Sequence, residues 1–165
     1  ASIVVTQPRR LSALGLAQRV AEERGEEVGQ TVGYSVHLDS RSCSSTRLLF
    51  CTTGVFRRRL LAEPTLPGVT HLVFDELHER EKITDFLMIA VRELLSQRPD
   101  LTLILMSATL EQETFRRYFG DECGQVSIPG RTFPVRRYFL EDLAPRLHQA
   151  GGGTVALGPG FAAGG

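Results

Sequence analysis

Val69-Thr70-His71-Leu72-Val73-Phe74-Asp75-Glu76-Leu77-His78-Glu79-Arg80 is the stretch that decides the fold. Its first six residues are mostly apolar and rich in strand formers, which predicts a strand over 69–74. The strand runs straight into two carboxylates, Asp75 and Glu76. In a parallel sheet the carboxyl ends of the strands face the ligand crevice. Adjacent carboxylates at that place suit nucleotide hydrolysis. One helps to hold Mg²⁺ through water, because Mg²⁺ keeps much of its hydration shell. The other orients and deprotonates the attacking water. The same residues also read as an acidic helix start with Asp75 as its cap, and the tetrapeptide by itself does not choose.

Outward from this stretch, strands and helices alternate. Upstream, 2–6 predicts a short strand, and Pro8 is placed to open a helix with Leu11, Leu14, Ala17, Val20 and Ala21 on one face and Gly25 as its stop. Strands are expected over 31–36 and 47–51, with a polar loop over 39–46 between them. Thr53-Gly54 reads as a turn before a helix over 55–62 that ends at Pro64. Downstream, Thr84 is expected to cap a helix that buries Phe86, Leu87, Ala90, Val91, Leu94 and Leu95 and closes at Pro99. The run 101–106 is uninterrupted and apolar, which predicts a strand buried on both faces. A short helix over 111–119 and extended segments over 125–128 and 135–140 follow. Such alternation predicts an α/β fold, a largely parallel sheet with helices on both faces. Ser107-Ala108-Thr109 then emerges at the same sheet edge as Asp75, one strand–helix–strand unit later. Its hydroxyls could hydrogen-bond His78 or each other, or Thr109 could simply cap the next helix.

Composition agrees with one globular domain: 165 residues, 42% apolar and 23% charged. Nineteen basic residues balance 19 acidic ones, so any nucleic-acid contact must be local rather than a matter of bulk charge. No apolar run is long enough for a membrane span, and no signal peptide is visible. The chain opens at Ala1, inside a strand-like run, as expected of a fragment. Cys43, Cys51 and Cys123 form no CxxC pair, which argues for a reducing, intracellular compartment. Residues 144–165 are expected to be a disordered Gly/Ala-rich tail. There Gly153 and Gly158 have phosphate-loop spacing, but Pro159 and Gly160 stand where Lys and Ser/Thr are needed.

Taken together, the motifs resemble those of superfamily 2 helicases, and most closely the first RecA-like domain of a DEAH/RHA-type RNA helicase. Thr6-Gln7-Pro8-Arg9-Arg10 resembles motif Ia, Thr52-Thr53-Gly54 motif Ib, Asp75 to Arg80 motif II, and Ser107-Ala108-Thr109 motif III. Thr31-Val32-Gly33-Tyr34 and the run from Ile128 to Val135 also look like this family. The resemblance covers roughly residues 2–143 and implies a three-layer RecA-like P-loop NTPase domain, N-terminally truncated. It implies ATP and Mg²⁺ as cofactors and RNA as substrate, with the rest of the helicase as partner. Asp75 would coordinate Mg²⁺ through water and Glu76 would be the general base. His78, Ser107 and Thr109 would couple nucleotide state to domain movement. Arg9, Thr52 and Gly54 would meet the RNA backbone. Leu77 departs from the small or β-branched residue usual in the tetrapeptide, and is expected to change packing rather than chemistry. Motif I is absent, since Lys82, the only lysine, is followed by Ile83. The chain alone is therefore expected to be inactive. A catalytically silent RNA- or partner-binding module and a DNA-directed relative are the alternatives.

Overall fold

The computed structural model describes residues 1–109, 112–120, 123–130, 133–139 and 141. The chain divides into two units, Ala1–Cys123 and Gly124–Gly165. In the first, six strands form one sheet: β1 (Ile3–Gln7), β2 (Val32–Val36), β3 (Asp39–Arg41), β4 (Leu48–Thr52), β5 (His71–Phe74) and β6 (Thr102–Leu105). Their order is β3-β2-β4-β1-β5-β6. All neighbours pair in parallel except β2 and β3. The helices are α1 (Arg10–Glu23), α2 (Thr53–Ala62), α3 (Lys82–Gln97) and α4 (Gln112–Phe119). The expected α/β fold with a largely parallel sheet is the fold observed.

Alternation along the strands splits the core in two. Val4, Cys51, Leu72 and Phe74 face one cluster, which Phe56 and Leu60 of α2 and Leu87, Met88, Val91 and Leu94 of α3 complete. Phe56 and Phe74 meet there edge to face, with ring centroids 5.5 Å apart. Val5, Phe50 and Val73 face the other cluster, against α1. Ala13, Ala17 and Ala21, spaced one helical turn apart, are fully buried and let α1 lie close on the sheet.

Several local expectations are corrected. Leu11 is 82% exposed, because the alanine stripe meets the sheet, with Leu14 and Val20 of the expected face half-buried at its margin. Pro8 lies just outside α1, whose cap position is Arg9. The polar stretch after Val36 begins with β3, turned back by His37-Leu38 with Leu38 at φ 61°. Thr53 and Gly54 are the first residues of α2 rather than a turn. Glu81, not Thr84, precedes α3, which buries Met88 and leaves Phe86 and Ala90 exposed. α1 lies over β2, β4 and β1, so the residues of β6 alternate between exposed and half-buried instead of being covered on both faces. Pro99 does follow α3. There Arg98 donates to the carbonyls of Thr65, Leu66 and Val69 and pairs with Asp100, which fixes the 63–69 loop.

In the second unit, the described residues 124–130 and 133–139, where extended segments are expected, belong to no helix or sheet. The expected 144–165 tail lies outside the described residues, as do Leu140 and Glu111. Among the described residues no helix is long and apolar enough to cross a membrane. Cys43, Cys51 and Cys123 are all free thiols.

Candidate active site

Thr6 pairs with Phe74 and Phe74 with Leu105, so β1, β5 and β6 end together at one sheet edge. Asp75 leaves β5 there, and its N–H donates to the Thr6 carbonyl at 3.2 Å. The next residue, Glu76, takes the left-handed conformation (φ 57°, ψ 35°) and a single 3-10 turn, Leu77–Glu79, follows. That turn explains why Asp75 caps no α-helix. Leu77 is buried in the α2/α3 core, the packing role expected of it, and its N–H donates to the Met106 carbonyl. Motif II is thereby tied to both neighbouring strands.

The Asp75 carboxylate accepts two hydrogen bonds, one per oxygen. The Glu76 N–H reaches Oδ1 at 2.8 Å, and Nε2 of Gln7 reaches Oδ2 at 2.7 Å. A carboxylate offers about four lone-pair sites, so acceptor capacity remains for a metal or its waters. Among the described residues no three His, Cys, Asp or Glu side chains converge into a metal cage. The Asp75 carboxylate with its free acceptor capacity fits Mg²⁺, which commonly binds through one or two carboxylates plus phosphate and water.

His78 joins the second carboxylate to the end of β6. Its Nε2 lies 3.4 Å from Oε2 of Glu76, and its Nδ1 accepts the Ala108 N–H at 3.3 Å. An accepting Nδ1 leaves the ring proton on Nε2, the nitrogen on the Glu76 side of the ring. The expected hydroxyl bonds to His78 do not form. Ser107 Oγ instead accepts the Thr109 N–H at 3.3 Å, shaping the turn that presents Ala108. The link from β6 to His78 therefore runs through the main chain, and Ser107 acts on it indirectly.

Of the residues expected to meet nucleic acid, Arg9 is 71% exposed at the start of α1, where it pairs with Glu79 at 2.9 Å. Thr52 ends β4 and precedes α2, and open space surrounds the position a Cβ would take on Gly54. β1 and β4 are parallel neighbours, with Gln7 opposite Thr52, so these groups share the edge occupied by Asp75. Residue-by-residue reading missed Gln7 and the Ala108 N–H. A cavity of about 470 Å³ lies elsewhere, between α2 and α3, lined by Leu60, Pro64, Ile83, Phe86 and Leu87. Its lining is mostly apolar, with Arg57, Glu93 and Gln97 among the residues around it, and it is separate from the acidic edge of the sheet.

A largely parallel α/β sheet with an acidic pair at its carboxyl edge is the arrangement of a ligand-binding α/β domain and agrees with the expected RecA-like architecture. The relatives of the chain narrow that class. Human putative ATP-dependent RNA helicase DHX57 is 55% identical over 142 residues, 86% of this chain and 10% of that protein. DExH-box ATP-dependent RNA helicase DExH3 of Arabidopsis thaliana is 57% identical over 86% of this chain and 12% of its own length. Bovine ATP-dependent DNA/RNA helicase DHX36 is 49% identical over 88% and 15%. No family model matches the chain. Over most of its length the chain belongs with the DExH-box helicases of the DEAH/RHA type, and it spans only about a tenth of the length of the curated relatives it matches first.

Proposed function

We propose that the protein carrying this chain is an intracellular ATP-dependent RNA helicase, and that this chain supplies part of its first ATP-binding domain. The observation that carries the proposal is the cluster at one sheet edge: Asp75 and Glu76 after β5, and His78 bonded to the Ala108 N–H after β6. Bound Mg²⁺·ATP supplies the reactive γ-phosphoryl group and the charge that polarises it. Asp75, fixed by two donors, holds the metal's water shell with its remaining lone pairs. Glu76 takes a proton from the attacking water, with His78 Nε2 3.4 Å from its carboxylate. Movement of Ala108 alters the hold on His78, which is how the turn 107–109 reports nucleotide state. Arg9, Thr52 and Gly54 meet the RNA backbone at the starts of α1 and α2, where unpaired main-chain N–H groups favour phosphate.

A DNA-directed activity is the second reading, favoured by the similarity to bovine DHX36, a DNA/RNA helicase. In the full-length protein, Glu76→Gln keeps the side chain's size and removes the base. ATP turnover should fall by about 10²–10⁴-fold, the range for a positioned acid–base group, while nucleotide and RNA binding persist. Full turnover in that variant would overturn the assignment, and strand-separation assays on RNA and DNA duplexes choose between the two substrates.

A further inference from the structure

Gln7 is 1% exposed at the carboxyl end of β1, near the middle of the sheet. A primary amide is buried at a cost unless its polar atoms find partners, and here Nε2 donates to Oδ2 of Asp75 at 2.7 Å. The amide's orientation is dictated, because an ionised carboxylate only accepts. Its main-chain oxygen also accepts the buried Thr53 hydroxyl at 3.2 Å, at the first residue of α2. Arg9, the cation two residues along, is turned to Glu79 instead. Asp75 is thus aimed by a neutral donor that leaves its negative charge uncancelled.

We propose that Gln7 is a positioning residue for the metal-side carboxylate: its amide fixes the Asp75 rotamer and directs the remaining lone pairs of that carboxylate toward the Mg²⁺ of bound nucleotide. This rests on the reading of Asp75 given above. Anchoring Gln7 at Thr53 ties the rotamer to the start of α2. An arginine or lysine in the same place would hold the carboxylate equally well but would compete with the metal for its charge.

The test uses the full-length protein with Gln7→Met, which keeps length and apolar fit but removes the donor, and Gln7→Glu, which replaces the donor by an acceptor. Affinity for Mn²⁺ is measured by electron paramagnetic resonance in the presence of a non-hydrolysable ATP analogue, alongside the Mg²⁺ dependence of ATP turnover. Loss of an outer partner of a metal-binding carboxylate weakens metal affinity by about 10–100-fold, and both variants should show this per folded molecule. Affinity for metal-free nucleotide should stay as in the parent. Unchanged Mn²⁺ affinity in the folded fraction of either variant, whatever its thermal stability, overturns the proposal. Glu76→Gln runs in parallel: if it too retains full turnover, the reading of the site has failed; if it alone is inactive, only the role of Gln7 has.

Discussion

Replacing Glu76 by glycine should make the fold more stable while destroying turnover. Glu76 sits at φ 57°, ψ 35°, a left-handed conformation that costs a residue with a Cβ about 1–3 kcal/mol. Glycine escapes most of that cost, but loses about 0.5–1 kcal/mol more in backbone entropy on folding. The difference leaves about 1 kcal/mol in favour of glycine. The cleanest comparison is Glu76→Gly against Glu76→Ala. Both lose the carboxylate and its contact with His78, so only the Cβ separates them. In urea, with a slope of about 2 kcal/mol per molar, the midpoint of the glycine variant should lie about 0.5 M above that of the alanine variant. Coincident midpoints, or a more stable alanine variant, would refute the idea that the backbone is strained at the proposed general base.

Phe74→Ala removes a fully buried ring and its edge-to-face partner contact with Phe56, and should cost about 3–5 kcal/mol; a loss under about 1 kcal/mol in denaturant unfolding would mean the site is not packed as described. The thiols should react unequally. Burial pushes Cys51 up to about 12, whereas hydrogen bonds from Ser45 and Thr46 hold exposed Cys43 below the usual thiol range. Iodoacetamide at neutral pH should therefore label Cys43 and spare Cys51, as read by mass spectrometry of the digested chain. The sign for stability follows from the same raised value: unfolded Cys51 ionises near 9.0 and folded Cys51 near 12. Above the lower value the unfolded chain binds fewer protons, so the contribution of Cys51, complete below it, is lost as pH rises through this interval. Unfolding midpoints measured across that range in the chain and in Cys51→Ala should converge toward high pH; parallel curves would refute the burial effect.

How far the sequence could be read depended on whether a residue's partners were local. The strands β1, β2, β4 and β5 are short apolar or β-branched runs, and their alternation with helices carried the parallel sheet. β3 was missed because Asp39-Ser40-Arg41 has no apolar alternation and is held by main-chain pairing with β2. β6 was misjudged because an apolar run does not say whether a neighbour covers it. Asp75, Glu76 and His78 stood out because their chemistry is written in adjacent letters. Gln7 did not, since its carboxylate partner is 68 residues away and only the pairing of β1 with β5 brings them together. The bond from Ala108 to His78 was invisible for a related reason: a main-chain N–H carries no mark of residue type.

The division of the apolar interior by the sheet bears on how this sequence can change over time. Neighbouring residues of β1 answer to different surroundings, Val4 to α2 and α3, and Val5 to α1. Substitutions on the two sides share few partners, and energetic effects of mutations without shared partners approximately add. The alanine stripe of α1 and the aromatic pair of Phe56 and Phe74 are therefore free to drift along separate histories. Compensation for a damaging change is to be sought on its own side of the sheet.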